Sequence, residues 1–158
     1  MIVFADTSPI SYLILIEEVD ILPRLYDRIV IPIGVFEELT ATNSPEKVRV
    51  WFKKVPEWLE TNASPLTVDK GLSEILDKGE SEAIQLAKNL RADLILIDEL
   101  AGRRIAIENG LNVIGVIGVL AAASKIGLID VDTVISKLTR TNFYVSEDLV
   151  EFLRKTKN

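Results

Sequence analysis

Residues 2–9 read IVFADTSP, and residues 94–99 read LILIDE. Each stretch is a continuous apolar run that ends directly in an aspartate, Asp6 in the first and Asp98 in the second. Such runs are typical of strands that are buried on both faces of a parallel sheet. Because ligands of open α/β sheets bind beyond the carboxyl ends of the strands, we expect both aspartates at the functional edge.

The rest of the chain alternates between apolar runs and segments with helical spacing. Residues 29–31 and 112–116 are further strand candidates, and residues 143–145 could add a fifth strand. This alternation favours an α/β fold with a parallel sheet. Residues 40–78 hold half of the prolines and both tryptophans, so we expect an irregular excursion from the α/β core there.

Composition limits the chemistry that the protein can perform. A chain of 158 residues suits one domain, spanning 1–158. It has no cysteine and no histidine, which excludes thiol nucleophiles, imidazole bases and most zinc sites. The net charge of −6 argues against loose RNA binding on a basic surface, although a carboxylate cluster accounts for part of that charge.

The chain shows no targeting or membrane signal. Its first residues lack a basic region, and no apolar run reaches the roughly 18 to 20 residues that a membrane span needs. We therefore expect a cytoplasmic protein with no membrane partner.

Glu80 lies on a predicted helix, and its position there is unusual for a carboxylate. Ala83 and Ala87 follow it at helical spacing, so Glu80 shares their apolar stripe and is expected to face inward. An inward carboxylate needs a partner, which the helix N-terminus could also supply. Glu82 lies off that stripe, and we expect it to be solvated.

Glu38 is the candidate from a second, shorter helix. It borders the inner face marked by Val35 and Leu39, whereas Glu37 is rotated away. An ordinary rim position explains Glu38 equally well, so the choice between Glu37 and Glu38 stays open.

Four converging carboxylates would raise one another's pKa values, and a divalent cation removes that cost. Hard oxygen ligands select Mg²⁺ or Mn²⁺. Such a site activates water against a phosphodiester without any histidine. The candidate cluster consists of Asp6, Glu38, Glu80 and Asp98.

Taken in order, these segments resemble the PIN-domain family over nearly the whole chain. The matching stretches are VFADTS at 3–8, IPIGVFEEL at 31–39, GESEAIQLA at 79–87 and LILIDE at 94–99. Residues 115–120 and 127–129 are similar to a subgroup of poorly characterised prokaryotic PIN proteins close to VapC-type toxins. The resemblance implies a three-layer α/β/α sandwich around a short, mostly parallel sheet.

The same resemblance implies a function, a cofactor and partners. It implies an Mg²⁺- or Mn²⁺-dependent endoribonuclease, with Asp6, Glu38, Glu80 and Asp98 catalytic and Asp6, Glu80 and Asp98 binding the metal. RNA is the implied substrate. An antitoxin protein is a possible partner, and a homodimer or higher homo-oligomer is expected.

Two departures from the family pattern keep an alternative open. Glu80 stands where many relatives have Asp, and Leu96 where many have Thr or Ser. The alternative is a catalytically weak or inactive PIN-like module that binds RNA or protein. A receiver-like phosphoacceptor is disfavoured, because Thr7 and Ser8 follow Asp6 in place of an acidic pair and no lysine ends a strand near Val116.

Four residues are expected to support the site: Thr7, Ser8, Glu99 and Arg103. Thr7 and Ser8 could hydrogen-bond its carboxylates, and Ser8 followed by Pro9 also predicts a helix N-cap. The resemblance suggests that Arg103 holds phosphate or a carboxylate. A helical pair with Glu99, four residues earlier, is the favoured interpretation.

Lys53 and Lys54 are possible RNA-binding residues, in a basic cluster that includes Trp51 and Phe52. RNA binding often combines cations with stacking aromatics. The two aromatics share helical spacing with Val48, however, so we expect them to be core residues.

Overall fold

A five-stranded sheet organises the part of the chain that this computed structural model describes, residues 1–157, and all of its strand pairings are parallel. The strand order is β3-β2-β1-β4-β5. The strands are β1 (Val3–Ala5), β2 (Ile29–Pro32), β3 (Leu59–Asn62), β4 (Leu94–Leu96) and β5 (Val113–Ile114).

Helices cover both faces of the sheet. They are α1 (Thr7–Leu15), α2 (Ile21–Tyr26), α3 (Ile33–Thr40), α4 (Glu46–Trp51), α5 (Lys70–Ser73), α6 (Lys78–Asn89), α7 (Leu100–Glu108), α8 (Val116–Lys125), α9 (Val131–Thr139) and α10 (Glu147–Arg154). Helices α5, α6 and α7 pack on one face, and the others contribute to the core on the opposite face.

The two cores follow from the alternation of side chains along each strand. In β1, Val3 and Ala5 belong to the larger core, whereas Phe4 between them belongs to the core beneath α6. Both faces of the central strand are therefore buried, as its continuous apolar run predicts. The expected three-layer α/β/α sandwich is confirmed.

The fifth strand is not where we expected it. Residues 143–145 form no strand, and Phe143 instead packs edge-on against Tyr12, with 5.0 Å between ring centroids. The fifth strand is β3, at one edge of the sheet, and it lies within the predicted irregular excursion together with α4 and α5. Of the four β3 residues only Leu59 is buried, so the strand carries no apolar run that would reveal it.

The start of α1 also differs from expectation. The helix begins at Thr7, with Asp6 at the N-cap position, so Ser8 lies inside the first turn and is not the N-cap. The Asp6 side chain makes no capping hydrogen bond either. Its carboxylate is thus left for another role at the sheet edge.

None of the helices within residues 1–157 is both long enough and apolar enough to cross a bilayer.

Candidate active site

The carboxyl ends of the central strands carry the acidic cluster. Asp6 directly follows β1, and Asp98 comes two residues after the end of β4. Because β1 and β4 pair in parallel, with Ala5 opposite Leu96, the two aspartates leave the sheet at the same edge. Helices α3 and α6 bring Glu38 and Glu80 to that edge.

Asp6 is one of the two most buried acids of the cluster. Its backbone N–H donates to the Leu96 carbonyl at 2.9 Å, which fixes the residue beside β4. Its side-chain Oδ1 is buried and accepts no hydrogen bond within the described residues. Burial raises the pKa of Asp6 to about 7, against a lowering by the Thr7 backbone N–H. Three nearby acids raise it further: Asp77, Glu38 and Glu99.

Glu80 faces inward, as its apolar stripe predicts, and is 4% exposed. Its Oε2 is buried without a hydrogen-bond partner in the described chain. This oxygen lies against Gly102 of α7, where a Cβ would come within 2.6 Å of it. Burial, followed by the charge of Asp6, raises the pKa of Glu80 well above its usual range, and Asp77 and Glu99 add to the effect.

Asp98 is held at one oxygen and left free at the other. Its Oδ1 accepts the Val116 N–H at 2.8 Å, at the start of α8. Its Oδ2 is buried and accepts no hydrogen bond from residues 1–157. Burial raises the pKa of Asp98, while the Val116 N–H and the positive charge of Arg103 act to lower it.

Arg103 is placed differently from the favoured expectation. Its Nη1 donates to the carbonyl of Ile97 at 3.2 Å and lies beside the Asp98 carboxylate. No ion pair joins Arg103 to Glu99 in the described chain, so the predicted helical pair is wrong. Glu99 instead occupies the N-cap position of α7, and its side chain contributes to the environment of Glu80. The guanidinium of Arg103 therefore lies next to a carboxylate of the acidic cluster.

Glu38 rather than Glu37 faces the cluster. The Thr7 hydroxyl donates to Glu38 Oε2, and the Gly79 N–H donates to Oε1 at 3.1 Å. Glu37 points to solvent, where it pairs with Lys78 at 3.1 Å. Thr7 thus contacts a site carboxylate as expected, whereas Ser8 makes no side-chain hydrogen bond among the described residues.

The expectation that Glu82 is solvated is wrong. Glu82 is 7% exposed, and its Oε1 accepts the Gly34 N–H at 3.1 Å. The reason is that α3 packs against the side of α6 that the apolar stripe does not mark. Helices α3 and α6 are therefore joined twice, since each donates a glycine N–H from its first turn to a glutamate of the other.

Asp77 is a member of the cluster that our sequence analysis missed. It caps α6, where its carboxylate accepts the Glu80 N–H at 2.8 Å. Its charge raises the pKa values of both Asp6 and Glu80. The spacing Asp-x-x-Glu before an apolar helix is a capping signal that could have identified it.

The donor set suits a hard divalent cation in its chemistry but not in its present geometry. Three carboxylates, those of Asp6, Glu80 and Asp98, each leave one buried oxygen without a partner. Buried polar atoms are normally paired, and a cation is one way to satisfy three oxygens together. As they stand, however, no three acids within residues 1–157 are grouped closely enough to form a complete metal-binding set. Binding would therefore require the side chains to adjust.

The basic cluster of α4 is distinct from the acids. Phe52 is buried and Trp51 half-buried, with 5.0 Å between their ring centroids, so the expectation that they are core residues is confirmed. Lys53 and Lys54 are exposed just beyond α4. Neither lysine is joined to the acidic cluster by a hydrogen bond or an ion pair in the described chain.

Comparison with known proteins supports the fold. A family model described as DUF3368: PIN domain matches residues 1–158. No curated protein matches the chain. Among solved structures, it is similar to a PilT N-terminus domain protein from the hyperthermophilic archaeon Sulfolobus solfataricus P2, with 19% sequence identity and a TM-score of 0.53. That match covers 78% of this chain and 93% of the other, and at this identity it shows the fold alone.

Proposed function

The chain belongs to the PIN-domain family, whose fold is of a nuclease type, and on that premise we propose that it is a metal-dependent endoribonuclease. The observation that carries the proposal is the set of three buried, unpartnered carboxylate oxygens on Asp6, Glu80 and Asp98. An unpaired buried polar atom costs free energy, so three of them at one sheet edge favour a ligand that satisfies all three.

We propose that these three acids hold Mg²⁺ or Mn²⁺. With no histidine or cysteine in the chain, all of its ligands are oxygens, and these two cations prefer oxygen. When bound, such a cation lowers the pKa of water and offsets the charge of a phosphodiester. The raised pKa values of Asp6 and Glu80 agree with this role, because a nearby positive charge would favour the ionised form of both carboxyls near neutral pH.

Glu38 is proposed as the fourth acid of the site, with an orienting role. Thr7 and the Gly79 N–H hold its carboxylate, and its charge is felt at Asp6. A carboxylate so fixed retains lone pairs that accept a hydrogen bond from the attacking water. In the hydrolysis, the water oxygen bonds to phosphorus and gives up a proton, the bond from phosphorus to the leaving ribose oxygen breaks, and that oxygen takes up a proton, so the protons balance.

The alternative, a weak or inactive module that binds RNA or protein, also has an observation in its favour. The acids within residues 1–157 form no preassembled metal-binding set. A module of this kind would bind RNA without cleaving it across several divalent metals, which separates it from the nuclease.

A toxin role requires a protein partner, and we propose that such an antitoxin would cover the acidic edge. Leu100, at the start of α7 and next to Glu99, is 82% exposed and offers an apolar contact there. The product of a neighbouring gene should then bind the protein and inhibit cleavage. Substituting Leu100→Ser should weaken that complex while leaving cleavage intact.

The proposal is tested by following the cleavage of labelled single-stranded RNA with Mg²⁺, with Mn²⁺ and with a chelator. We expect metal-dependent cleavage by the natural chain and none by Asp98→Asn, which keeps the hydrogen bond from the Val116 N–H. Glu108→Gln, an exposed change at the end of α7, is the matched control and should cleave normally. Equal cleavage by the natural chain and Asp98→Asn would refute the proposal.

A further inference from the structure

A cavity of about 250 Å³ lies beside the acidic cluster, at the same edge of the sheet. Pro32 and Asn62, the last residues of β2 and β3, form part of its wall, and α6 contributes Lys78, Glu82 and Leu86. The cavity therefore adjoins the site across α6, the helix that also carries Glu80.

The distance between the cavity and the cluster follows from the two hydrogen bonds that join α3 and α6. One bond joins the Gly79 N–H to Glu38 of the acidic cluster, and the other joins the Gly34 N–H to Glu82, which lines the cavity. The bonded residues are separated by three or four positions on each helix, which is about one helical turn, or roughly 5.4 Å. A nucleotide whose phosphate lies at the acids would thus bring its base toward the cavity.

The lining combines apolar walls with a few polar groups, which is the composition of a small-ligand pocket. Ile33, Leu66 and Val68 line the cavity and give it apolar surface. The exposed ammonium of Lys78, which pairs with Glu37, lies at the rim, where a phosphate could compete for it.

Glu82 provides the specific feature of the cavity. The residue is 7% exposed, and its carboxylate is pressed against Gly34, where a Cβ would come within 2.8 Å of Oε2. Only Oε1 is engaged, by the Gly34 N–H, and Oε2 accepts no hydrogen bond in the described part of the chain. A carboxylate has lone pairs for about four hydrogen bonds, so most of its capacity is unused.

From this arrangement we propose that the cavity is a base-recognition subsite that prefers guanine, a proposal that rests on the proposed ribonuclease function. The Watson–Crick edge of guanine presents two neighbouring N–H donors, which a carboxylate accepts side by side. Adenine, cytosine and uracil each lack such a pair. Sequence-specific RNA recognition commonly reads this edge of an unstacked base.

The test measures binding of short, labelled uridine RNAs that carry a single guanosine, inosine, adenosine or cytidine. Binding is followed by fluorescence anisotropy with Mg²⁺, in the Asp98→Asn background so that no RNA is cut. We expect the guanosine RNA to bind about ten- to hundredfold more tightly than the adenosine RNA. Inosine, which lacks the 2-amino group, should fall between them.

Glu82→Gln in the same background should remove this preference, because the amide retains one acceptor for the Gly34 N–H but no pair of acceptors for guanine. Glu108→Gln is the matched control for the lost charge and should keep the preference. Circular dichroism checks that both variants are folded. If Glu82→Gln does not fold, the comparison of the four RNAs with Glu82 in place still decides the matter.

Equal affinity for the four RNAs, or an unchanged guanosine preference in Glu82→Gln, would overturn the subsite. Cleavage by the natural chain is measured in parallel on the same RNAs. If the natural chain cleaves all four RNAs equally, the guanine subsite is refuted and the proposed nuclease function is supported. If the natural chain cleaves none of the RNAs but Glu82 still gives selective binding of guanosine, the proposed nuclease function is refuted and the guanine subsite is supported.

Discussion

The carboxylate of Glu80 occupies the space above Gly102 that any other side chain would fill, since a Cβ there would come within 2.6 Å of Glu80 Oε2. Because Gly102 of α7 has no side chain, the carboxylate of Glu80 on α6 can reach the sheet edge. The Oε2 atom is also one of the three unpartnered oxygens, so this contact sets the position of a proposed metal ligand.

Gly102→Ala should therefore displace the Glu80 carboxylate. The displaced group is the flexible end of a side chain, so we expect little loss of thermal stability but a roughly 10- to 100-fold loss of affinity for Mn²⁺. Calorimetric titration measures the affinity. Gly71→Ala, at an exposed position of α5 where a Cβ has no close neighbour, is the control and should change neither property. Unchanged Mn²⁺ affinity in Gly102→Ala would refute the assignment of Glu80.

The two adjacent glutamates of α3 provide a matched pair. Glu38→Gln replaces the carboxylate held by Thr7 and the Gly79 N–H with a neutral amide, and we expect cleavage of RNA to fall by about 10²-fold. Glu37→Gln removes the same charge from an exposed pair with Lys78 and should leave the rate within about twofold, as surface pairs contribute little. Equal rates for the two variants would contradict the choice of Glu38.

Arg103 and Arg104 form a second pair. Arg103 lies beside Asp98 and lowers its pKa, whereas Arg104 is exposed. Removing the Arg103 cation with Arg103→Ala should raise the pKa of Asp98, so the acidic limb of the pH–rate profile should move to higher pH. Arg104→Ala should leave that limb in place. If the acidic limb of the pH–rate profile moves in neither variant, Arg103 does not control the pKa of Asp98.

The pKa of Asp6 predicts how the metal-free protein responds to pH. Asp6 keeps its proton up to about pH 7 when folded, against an ordinary pKa of 3.8. Between these values Asp6 binds more proton in the folded chain than in the unfolded chain, so its ionisation makes stability fall as the pH rises, and this effect of Asp6 levels off above pH 7.

This fall should be smaller in Asp6→Asn, which has no proton to lose at that position. Chemical denaturation in the presence of a chelator, at about pH 5 and about pH 8, measures the difference, which is on the order of a few kcal/mol. Identical pH dependence in the two proteins would show that Asp6 ionises normally.

The sequence was sufficient to predict the central strands and the edge where Asp6 and Asp98 lie. Continuous apolar runs mark β1 and β4 because both faces of these strands are buried. The edge strand β3 escaped prediction because burial of Leu59 alone leaves no periodic signal. Edge strands need little apolar surface, so their sequences resemble loops.

Glu82 shows a limit of helical periodicity. The apolar stripe of α6 marks the face that packs on the sheet, and Glu80 was correctly expected to face inward. Glu82 is buried by α3, a contact that depends on tertiary packing and on the absence of a side chain at Gly34. The pairing of Arg103 with Glu99 was predicted wrongly for a related reason. Only the fold brings the Arg103 guanidinium to the Ile97 carbonyl and to Asp98.

The central claim is that the unpartnered oxygens of Asp6, Glu80 and Asp98 bind one divalent cation. Calorimetric titration of Mn²⁺ into the natural chain and into Asp6→Asn, at about pH 8 where Asp6 is ionised, tests it most directly. We predict one bound Mn²⁺ per chain, with affinity lowered roughly 10- to 100-fold or more in the variant. No binding by the natural chain, or equal affinity in both proteins, would contradict the account.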